Sequence, residues 1–399
     1  GVEAQTCWLP DVFGVMYTLP QILRKSGVNY FLTAKLNIWN DTNTFPYDTF
    51  RWRGPDGSEV IAHFPPTHFA QNYEVNFLRR HWQDFREKQT VGENLFIYGW
   101  GDGGGGPTRE MVEASLRTNG FPGLPKSEIT FAETFFHRLA TKADSLPVWD
   151  DELYLEGHRG TYTTKGDLKR QNRKVEVLYR DAEILSAFAW LYGGPRTQDR
   201  LNQGWKYFLL NQFHDTLPGT HVPEAVPDIK RDYETAFAIG QKEIDRAVAH
   251  LVSRLDRSTT AENDLLLLNT LSWQRNALVE IEYIEKNAVR VGDELLPVQS
   301  YNGRSYFRPP NLPSLGWTVA AFADGANSSQ ETATFIDSII ETPFYQLELD
   351  TAGNISQIID KTNDREVLAA PGNVLELFED FPGRKFSAWD IAYHIEEYQ

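Results

Sequence analysis

The hydrophobic period of the sequence changes twice along the chain, and this limits the folds that it can adopt. Up to about residue 150, short apolar runs alternate with helical patterns. Between about 165 and 255, apolar residues recur at helical spacing, and beyond about 264 they fall in short runs typical of strands. The chain is therefore expected to be multidomain, with an α/β region, an α region and a β region in that order.

The first region alternates strands with helices. Its strands are expected at 29–35, 58–64, 94–101 and 127–133, and its helices at 19–27 and 107–120. Pro107 suits the first turn of the second helix, where its missing N–H costs no hydrogen bond. Such alternation favours a parallel sheet with helices beside it, or part of a barrel. Residues 1–150 are thus predicted to form part of an α/β domain resembling a deformed β/α barrel.

Helical spacing defines the second region. Its helices are expected at about 165–192, 199–213 and 223–255. The short connections between them favour an antiparallel three-helix bundle over residues 151–258. A polar segment at 259–264 separates this bundle from β-rich runs, among them a hairpin with Gly353 at its turn. Residues 259–399 are therefore predicted to form a β-sandwich portion, cut short at its end.

Charge and composition exclude several classes of protein. The chain carries 55 acidic and 39 basic residues, a net charge of −16. Such a surface repels phosphate backbones, so a nucleic-acid partner is not expected. No apolar run reaches the roughly 18 residues of a membrane-spanning helix, so no membrane partner is expected either. Cys7 is the only cysteine, which suits a reducing compartment and favours a cytoplasmic location.

Two loops place a carboxylate where chemistry is expected. Asp11, in WLPDVFG, follows a predicted strand end, and active sites of α/β folds form at such ends. Asp102, in YGWGDGGGGP, precedes four glycines that allow close backbone approach. The alternative for Asp11 is a cap of the helix near Leu19 or a local turn. The alternatives for the glycine run are a flexible surface loop or phosphate binding, although the flanking residues of known phosphate loops are missing.

His214 and Asp215 lie at the end of the second predicted helix of the bundle, before a Pro-Gly turn. An imidazole there can bind a metal, and the carboxylate can bind a metal or sugar hydroxyls; the alternative is a structural or exposed histidine. Two carboxylates, a histidine and a glycine-rich wall favour a glycosidase over a protease. Retaining glycoside hydrolysis needs two acids about 5–5.5 Å apart, of which one attacks the sugar and the other protonates the leaving oxygen.

Several long segments, in order along the chain, resemble glycoside hydrolase family 38, the α-mannosidases, and particularly its cytosolic and bacterial branch. They are WLPDVFG, KLNIWNDTNTFPYDTFRWRGPDGSEV, YGWGDGGGGPTREM, ELYLEGHRGTYTT and LLNQFHD. The resemblance runs through nearly all 399 residues and is weakest at 275–370. It implies a retaining, exo-acting α-mannosidase that hydrolyses terminal α-linked mannose of oligosaccharides through a covalent mannosyl-enzyme.

The resemblance also implies roles for individual residues. Asp11 matches the nucleophile, which is also a ligand of a divalent ion, usually zinc, and His214 matches a second ligand. Asp102 matches the acid/base, although many relatives have a pair of acids where Gly101 and Gly103 flank a single one here.

Substrate contacts are implied for Asp215, His158, Lys35, Trp389 and Asp390. His158 stands where some relatives carry a sugar-stacking Trp, and Asp215 is expected to bind mannose hydroxyls.

The family's remaining metal ligands are a His-x-Asp pair near the start of the catalytic domain, and no His-x-Asp occurs in this sequence. The resemblance therefore implies a fragment that lacks an upstream segment. Two protein ligands alone are expected to hold zinc weakly, since catalytic sites usually have three or more, so the isolated chain is expected to be nearly inactive. The alternatives are another glycosidase or phosphorylase on this scaffold, or a non-catalytic carbohydrate-binding or scaffold fragment. The upstream segment and a second copy of the chain remain open as protein partners.

Overall fold

The computed structural model describes residues 3–40, 42–256, 258, 260–325, 333–377 and 386–391. The chain divides into two compact units. The first comprises 1–171, 210–230 and 380–395, and the second comprises 172–209, 231–379 and 396–399. The elements confirm the multidomain α/β, α and β architecture, whereas the domain limits near 150 and 258 stay predictions.

A mixed sheet forms the centre of the first unit. Its strands are β1 (Thr6–Trp8), β2 (Tyr30–Leu32), β3 (Thr49–Arg53), β4 (Glu59–His63) and β5 (Val148–Trp149). Their order across the sheet is β1-β2-β4-β3-β5, and β1, β2 and β4 are parallel. β3 is antiparallel to β4, so the expectation of a parallel sheet is wrong for this pair. The reason is a tight turn in which Gly57, at φ +81°, returns the chain as a hairpin.

Helices of the first unit cover this sheet. They are α1 (Leu19–Lys25), α2 (Val75–Asp84), α3 (Lys88–Val91), α4 (Arg109–Thr118) and α5 (Ala132–Ala140). α1 and α4 confirm the two predicted helices. α4 begins later than expected, because Thr108 caps it by accepting the Met111 N–H at 3.3 Å, which leaves Pro107 outside the helix.

The predicted strand at 94–101 is not formed. Within the described residues it pairs only through an isolated bridge between Trp100 and Gly106. Phe96 and Tyr98 instead pack against apolar side chains of α2 and α4, so the alternation in this segment reflects contacts with helices.

The predicted strand at 127–133 is also wrong. Its last residues begin α5, whose side chains at helical spacing pack into one cluster, namely Ala132, Phe135, Phe136 and Leu139. Ile129 and Phe131 are exposed. The alternation of apolar residues at 127–133 runs into the start of α5. The helical repeat begins only with Ala132.

Both faces of the sheet are buried. Successive residues of β2 point to opposite faces: Phe31 packs with Phe50 and Trp52, whereas Tyr30 and Leu32 pack with side chains of α5. A sheet covered on both sides has little freedom to move, so the carboxyl ends of its parallel strands make a rigid support for a site.

The predicted helical region is confirmed as α6 (Gly166–Leu191), α7 (Gln198–Leu210) and α8 (Val226–Arg254). In the second unit, Arg200 near the start of α7 pairs with Glu243 of α8 at 2.8 Å. Phe208 near the end of α7 contacts Tyr233, earlier in α8. α7 and α8 are therefore antiparallel, as the short connections predicted. No described helix is long and apolar enough to cross a bilayer.

Antiparallel sheets make up the rest of the second unit. Their strands are β6 (Leu265–Asn269), β7 (Val279–Glu282), β8 (Ala288–Val291), β9 (Glu294–Pro297), β10 (Gln299–Tyr301), β11 (Arg304–Phe307), β12 (Gly316–Ala323), β13 (Thr334–Ile336), β14 (Ile339–Glu341), β15 (Tyr345–Leu349), β16 (Ile355–Asp360) and β17 (Arg365–Glu366). The sheet orders are β6-β12-β8-β9, β10-β11-β7 and β13-β14-β15-β16-β17. The hairpin β15–β16, with Gly353 at φ +87° in its turn, confirms the predicted one.

Two buried histidines lie beside the sheet. His63 shares a 2.9 Å hydrogen bond through Nδ1 with the Thr49 hydroxyl, and its Nε2 accepts the Leu95 N–H at 3.4 Å. His81 shares a 2.8 Å bond with the Thr67 hydroxyl. Burial lowers the pKa of His63 to about 3 and that of His81 to about 4. Both rings are therefore neutral at pH 7.

These histidines predict acid sensitivity. A folded-state pKa below the unfolded value of 6.5 means that the unfolded chain binds protons first, so stability is complete above 6.5 and falls as the pH drops toward 4. At pH 5 each histidine is expected to lower the free energy of unfolding by about 2 kcal/mol relative to pH 7. Denaturant unfolding of the His81→Gln variant at both pH values should show a loss smaller than that of wild type by about 2 kcal/mol. His137→Gln, at an exposed position, is the control, and an equal loss in both variants would contradict the assignment.

Candidate active site

Asp11 lies at the carboxyl end of β1, and Lys35 follows the end of β2. The two loops are tied together because the Leu9 N–H donates to Leu32 O at 2.9 Å and the Thr33 hydroxyl donates to Leu9 O at 2.7 Å. Asp11 Oδ1 lies 2.9 Å from Lys35 Nζ, and both side chains are mostly buried. A carboxylate is thus held at the sheet edge by a lysine, as expected for a site at parallel strand ends.

His214 faces the other oxygen of the same carboxylate. Its Nε2 lies 4.0 Å from Asp11 Oδ2 and 3.6 Å from Asp215 Oδ2. Asp215 is oriented by the Thr220 hydroxyl, which donates to Oδ1 at 2.6 Å. The structure therefore brings Asp11 close to His214 and Asp215, which are far from it in the sequence.

The donor types at this point suit a divalent ion. Imidazole nitrogen and carboxylate oxygen are common zinc ligands, and two ligands of a tetrahedral zinc lie roughly 3.3 Å apart. His214 Nε2 lies 4.0 Å from Asp11 Oδ2, so these two side chains would have to approach each other by about 0.7 Å to share an ion. In the described part of the chain, no group of three His, Cys, Asp or Glu side chains is placed to hold a metal. Asp11 and His214 thus fit an incomplete set of metal ligands.

The ring of His158 packs against two aromatic side chains. Its ring centroid lies 5.2 Å from that of Phe13 and 5.3 Å from that of Trp39. The residue is buried, and its Nδ1 lies 3.7 Å from Asp390 Oδ2, too far for a hydrogen bond. Burial, and next the charge of Lys35, lower the pKa of His158. Its backbone has φ +73°, which is uncommon outside glycine and typical of functional positions.

The segment 386–391 contacts His158. Asp390 Oδ1 accepts the His158 N–H at 2.5 Å, and the Trp389 ring lies 6.4 Å from the His158 ring. A side chain at Gly160 would have its Cβ only 2.9 Å from Trp389 O, so this position must be glycine. The predicted residues His158, Trp389 and Asp390 therefore form a second group.

The glycine run forms a closed turn that carries Asp102. Trp100 and Gly106 exchange two backbone hydrogen bonds of 2.9 Å, and the Gly104 N–H donates to Gly101 O at 2.7 Å. A Cβ at Gly101 would lie 2.7 Å from that of Ala70, and one at Gly104 would lie 2.7 Å from that of Trp100. Close approach therefore requires these glycines. Asp102 is exposed at the tip, at φ +49°.

His68 lies within the electrostatic influence of both Asp11 and Asp102, and the sequence interpretation missed it. Its Nδ1 accepts the Ala70 N–H at 2.9 Å, which leaves the proton of the neutral ring on Nε2. Burial and the charge of Lys35 lower the pKa of His68, while the charges of Asp11 and Asp102 act on the same ring in the opposite sense. A signal was present, because His68 follows a strand correctly predicted at 58–64, just as Asp11 and Lys35 follow theirs.

Comparisons with known proteins identify the class. The chain matches the profiles "Glycosyl hydrolases family 38 N-terminal domain" over residues 1–152, "Alpha mannosidase middle domain" over 156–251 and "Glycosyl hydrolases family 38 C-terminal domain" over 340–399. These matches place the chain in a family of glycoside hydrolases. More narrowly, the chain belongs to glycoside hydrolase family 38.

Individual relatives agree with this family. Alpha-mannosidase 2C1 of Homo sapiens is 34% identical over 98% of this chain, and Alpha-mannosidase G of Dictyostelium discoideum is 28% identical over 98%. The aligned regions are 36% and 39% of those proteins, so the chain spans little more than a third of their length. A solved structure of an alpha-mannosidase from Enterococcus faecalis has the same fold, with a TM-score of 0.70 and 18% identity over 92% of this chain and 48% of that one.

Proposed function

We propose that this chain carries the nucleophile and part of the metal site of a retaining α-mannosidase that removes terminal α-linked mannose from oligosaccharides. The observation that supports this best is the Asp11 carboxylate, with one oxygen on Lys35 and the other facing His214. Relatives that share the family are named alpha-mannosidases. We also propose a cytoplasmic location, with domains at 1–150, 151–258 and 259–399.

The reaction proceeds in two displacements. Asp11 attacks the anomeric carbon while Asp102 gives its proton to the glycosidic oxygen, so a carbon–oxygen bond to the enzyme forms as the bond to the leaving group breaks. Asp102, now ionised, then takes a proton from water, and that water releases mannose and regenerates Asp11. Lys35 holds the attacking carboxylate in place through its ion pair.

Asp11 and His214 would hold a divalent ion, in our proposal zinc. Such an ion would supply Lewis-acid polarisation of the sugar hydroxyls. Catalytic ions usually have three or more protein ligands, so ligands besides these two would be needed.

The group around His158 is proposed to bind the sugar. His158 Nδ1 makes no hydrogen bond and lies 3.7 Å from Asp390 Oδ2, and a sugar hydroxyl would supply the missing bond. Asp215 contributes a second acceptor, and its position is fixed by Thr220. Trp389 and Asp390, which contact His158, are proposed as further sugar-binding residues.

The test is hydrolysis of p-nitrophenyl α-mannoside by the complete gene product. Activity is expected, with loss after dialysis against a chelator and recovery when zinc is added, because the proposed ligands Asp11 and His214 need the ion to orient the sugar. The isolated 399-residue chain should show little of this activity. p-Nitrophenyl β-mannoside is the control substrate. Chelator-resistant activity would contradict the metal site, and strong activity of the isolated chain would contradict the need for further ligands.

A non-catalytic carbohydrate-binding role is the second candidate. It is favoured by the absence, among the residues described, of three side chains placed to hold a metal. Calorimetric titration separates the two: mannose binding without zinc binding by the complete gene product would support this role over catalysis.

A further inference from the structure

We propose that Lys169 is a positioning residue that holds the turn carrying His214 and Asp215 in place. The inference rests on the proposed function of those two side chains. The hydrogen bonds of the Lys169 ammonium group support it.

The Lys169 ammonium is surrounded by backbone carbonyls. Its Nζ donates to Thr164 O at 2.5 Å, to Leu217 O at 3.0 Å and to Pro218 O at 3.0 Å. A lysine ammonium has three protons and no acceptor, so these bonds use its full donor capacity. One acceptor lies just before α6 and the other two lie in the turn. The side chain therefore links two segments that are about 50 residues apart in the sequence.

The turn has its own hydrogen bonds, but they do not fix its position. The Thr216 N–H donates to Phe213 O at 2.9 Å, the Gly219 N–H donates to Thr216 O at 3.1 Å, and the Thr220 N–H donates to Asp215 O at 3.1 Å. All of these bonds close within residues 213–220. They set the shape of the turn, whereas the bonds from Lys169 tie that shape to the start of α6.

Gly219 brings the same two segments into direct contact. Its φ is +88°, and a Cβ at this position would lie 2.8 Å from Thr164 O and 2.9 Å from the Lys165 Cβ. The turn thus lies against the backbone of 164–165, with the Lys169 ammonium beside this contact. The hydrogen bonds of Lys169 and the close packing of Gly219 therefore hold the turn against the same segment, 164–165.

The position of this turn matters because it sets the distances at the proposed metal site. His214 Nε2 must lie within bonding range of an ion that Asp11 also binds, and ligand distances tolerate only about 0.2 Å of error. Residues that orient metal ligands from behind typically change metal affinity by 10–100-fold when they are replaced. We expect an effect of this size when the ammonium is removed.

The experiment compares three variants in the complete gene product. Lys169→Met keeps the length of the side chain but removes its donors. Lys169→Arg keeps the charge in a planar group that cannot point at three carbonyls around one atom. Lys174→Met removes the same charge from an exposed position of α6. Zinc affinity is measured by competition with a chelating dye, and amide hydrogen exchange is measured in zinc-free protein.

Lys169→Met is expected to bind zinc about 10–100-fold more weakly than wild type, with faster exchange confined to residues 213–221. Lys169→Arg should recover only part of the affinity, and Lys174→Met should behave as wild type. Wild-type affinity and exchange in Lys169→Met would overturn the proposal, and so would faster exchange throughout the protein. If wild type binds no zinc while Lys169→Met loosens this turn alone, the metal site fails but the positioning role of Lys169 stands.

Discussion

The Asp11→Asn variant of the complete gene product is expected to lose kcat by roughly 10⁴–10⁶-fold on every α-mannoside, as nucleophile removal does in covalent catalysis. The loss should be equally large for good and poor leaving groups. An amide cannot form the glycosyl ester. This ester must form with every substrate, whatever its leaving group.

A second loss is expected because Asp11 has two partners. One oxygen contacts Lys35 at 2.9 Å and the other faces His214 at 4.0 Å. An asparagine has only one acceptor oxygen and brings an NH₂ group to the other position. It therefore either meets the lysine ammonium with a donor or leaves the proposed ion without an anionic ligand. Zinc affinity should fall along with kcat.

The covalent intermediate gives the direct measurement. A fluorinated mannosyl fluoride that reacts quickly and hydrolyses slowly should add the mass of one fluoromannosyl group to the peptide containing Asp11. Asp56→Asn, at the far end of the sheet in the β3–β4 turn, removes the same charge and should label as wild type does. Label on any other carboxylate would contradict Asp11 as nucleophile.

The position of Asp11 could be predicted from the sequence because it depends only on a short local pattern. A strand end followed by a rigid acidic loop needs no distant information, and the parallel register of β1, β2 and β4 places such ends at one edge. Lys35 and His68 obey the same rule. His68 was nevertheless missed, because a single histidine after two prolines has no spacing pattern that marks it.

The partners of each site residue could not be predicted from the residues alone. His214 reaches Asp11 across 203 positions, and Asp390 reaches His158 across 232. Such contacts depend on how complete elements pack, and no local pattern encodes them. The family resemblance named these residues, but it did not give their distances.

The two incorrect strand predictions have a common physical cause. Segments 94–101 and 127–133 have alternating apolar residues, but they face helices or begin one. Periodicity records which side of a segment is buried and does not record whether a second strand lies beside it. The long helices α6 and α8 were easier to predict, since a 3.6-residue repeat sustained over many turns has no competing explanation.

Asp102→Asn is expected to discriminate between substrates. On mannosides with poor leaving groups, kcat/KM should fall by roughly 10²–10⁴-fold, the usual contribution of a general acid. On 2,4-dinitrophenyl α-mannoside the fall in this constant should be much smaller, because that leaving group departs without a proton. The alkaline limb of the pH profile, which reflects the general acid losing its proton, should also disappear for the poor leaving groups.

Asparagine is the right replacement because of the backbone at this position. Asp102 has φ +49°, a conformation that asparagine adopts as readily as aspartate and alanine does not. The closed turn between Trp100 and Gly106 should therefore survive the change, so a loss of activity reports on the proton and not on the loop. Asp11→Asn is the matched control, since it should affect both substrates equally. Equal losses on both substrates in Asp102→Asn would mean that this carboxylate does not protonate the leaving oxygen, and that another group must be the acid.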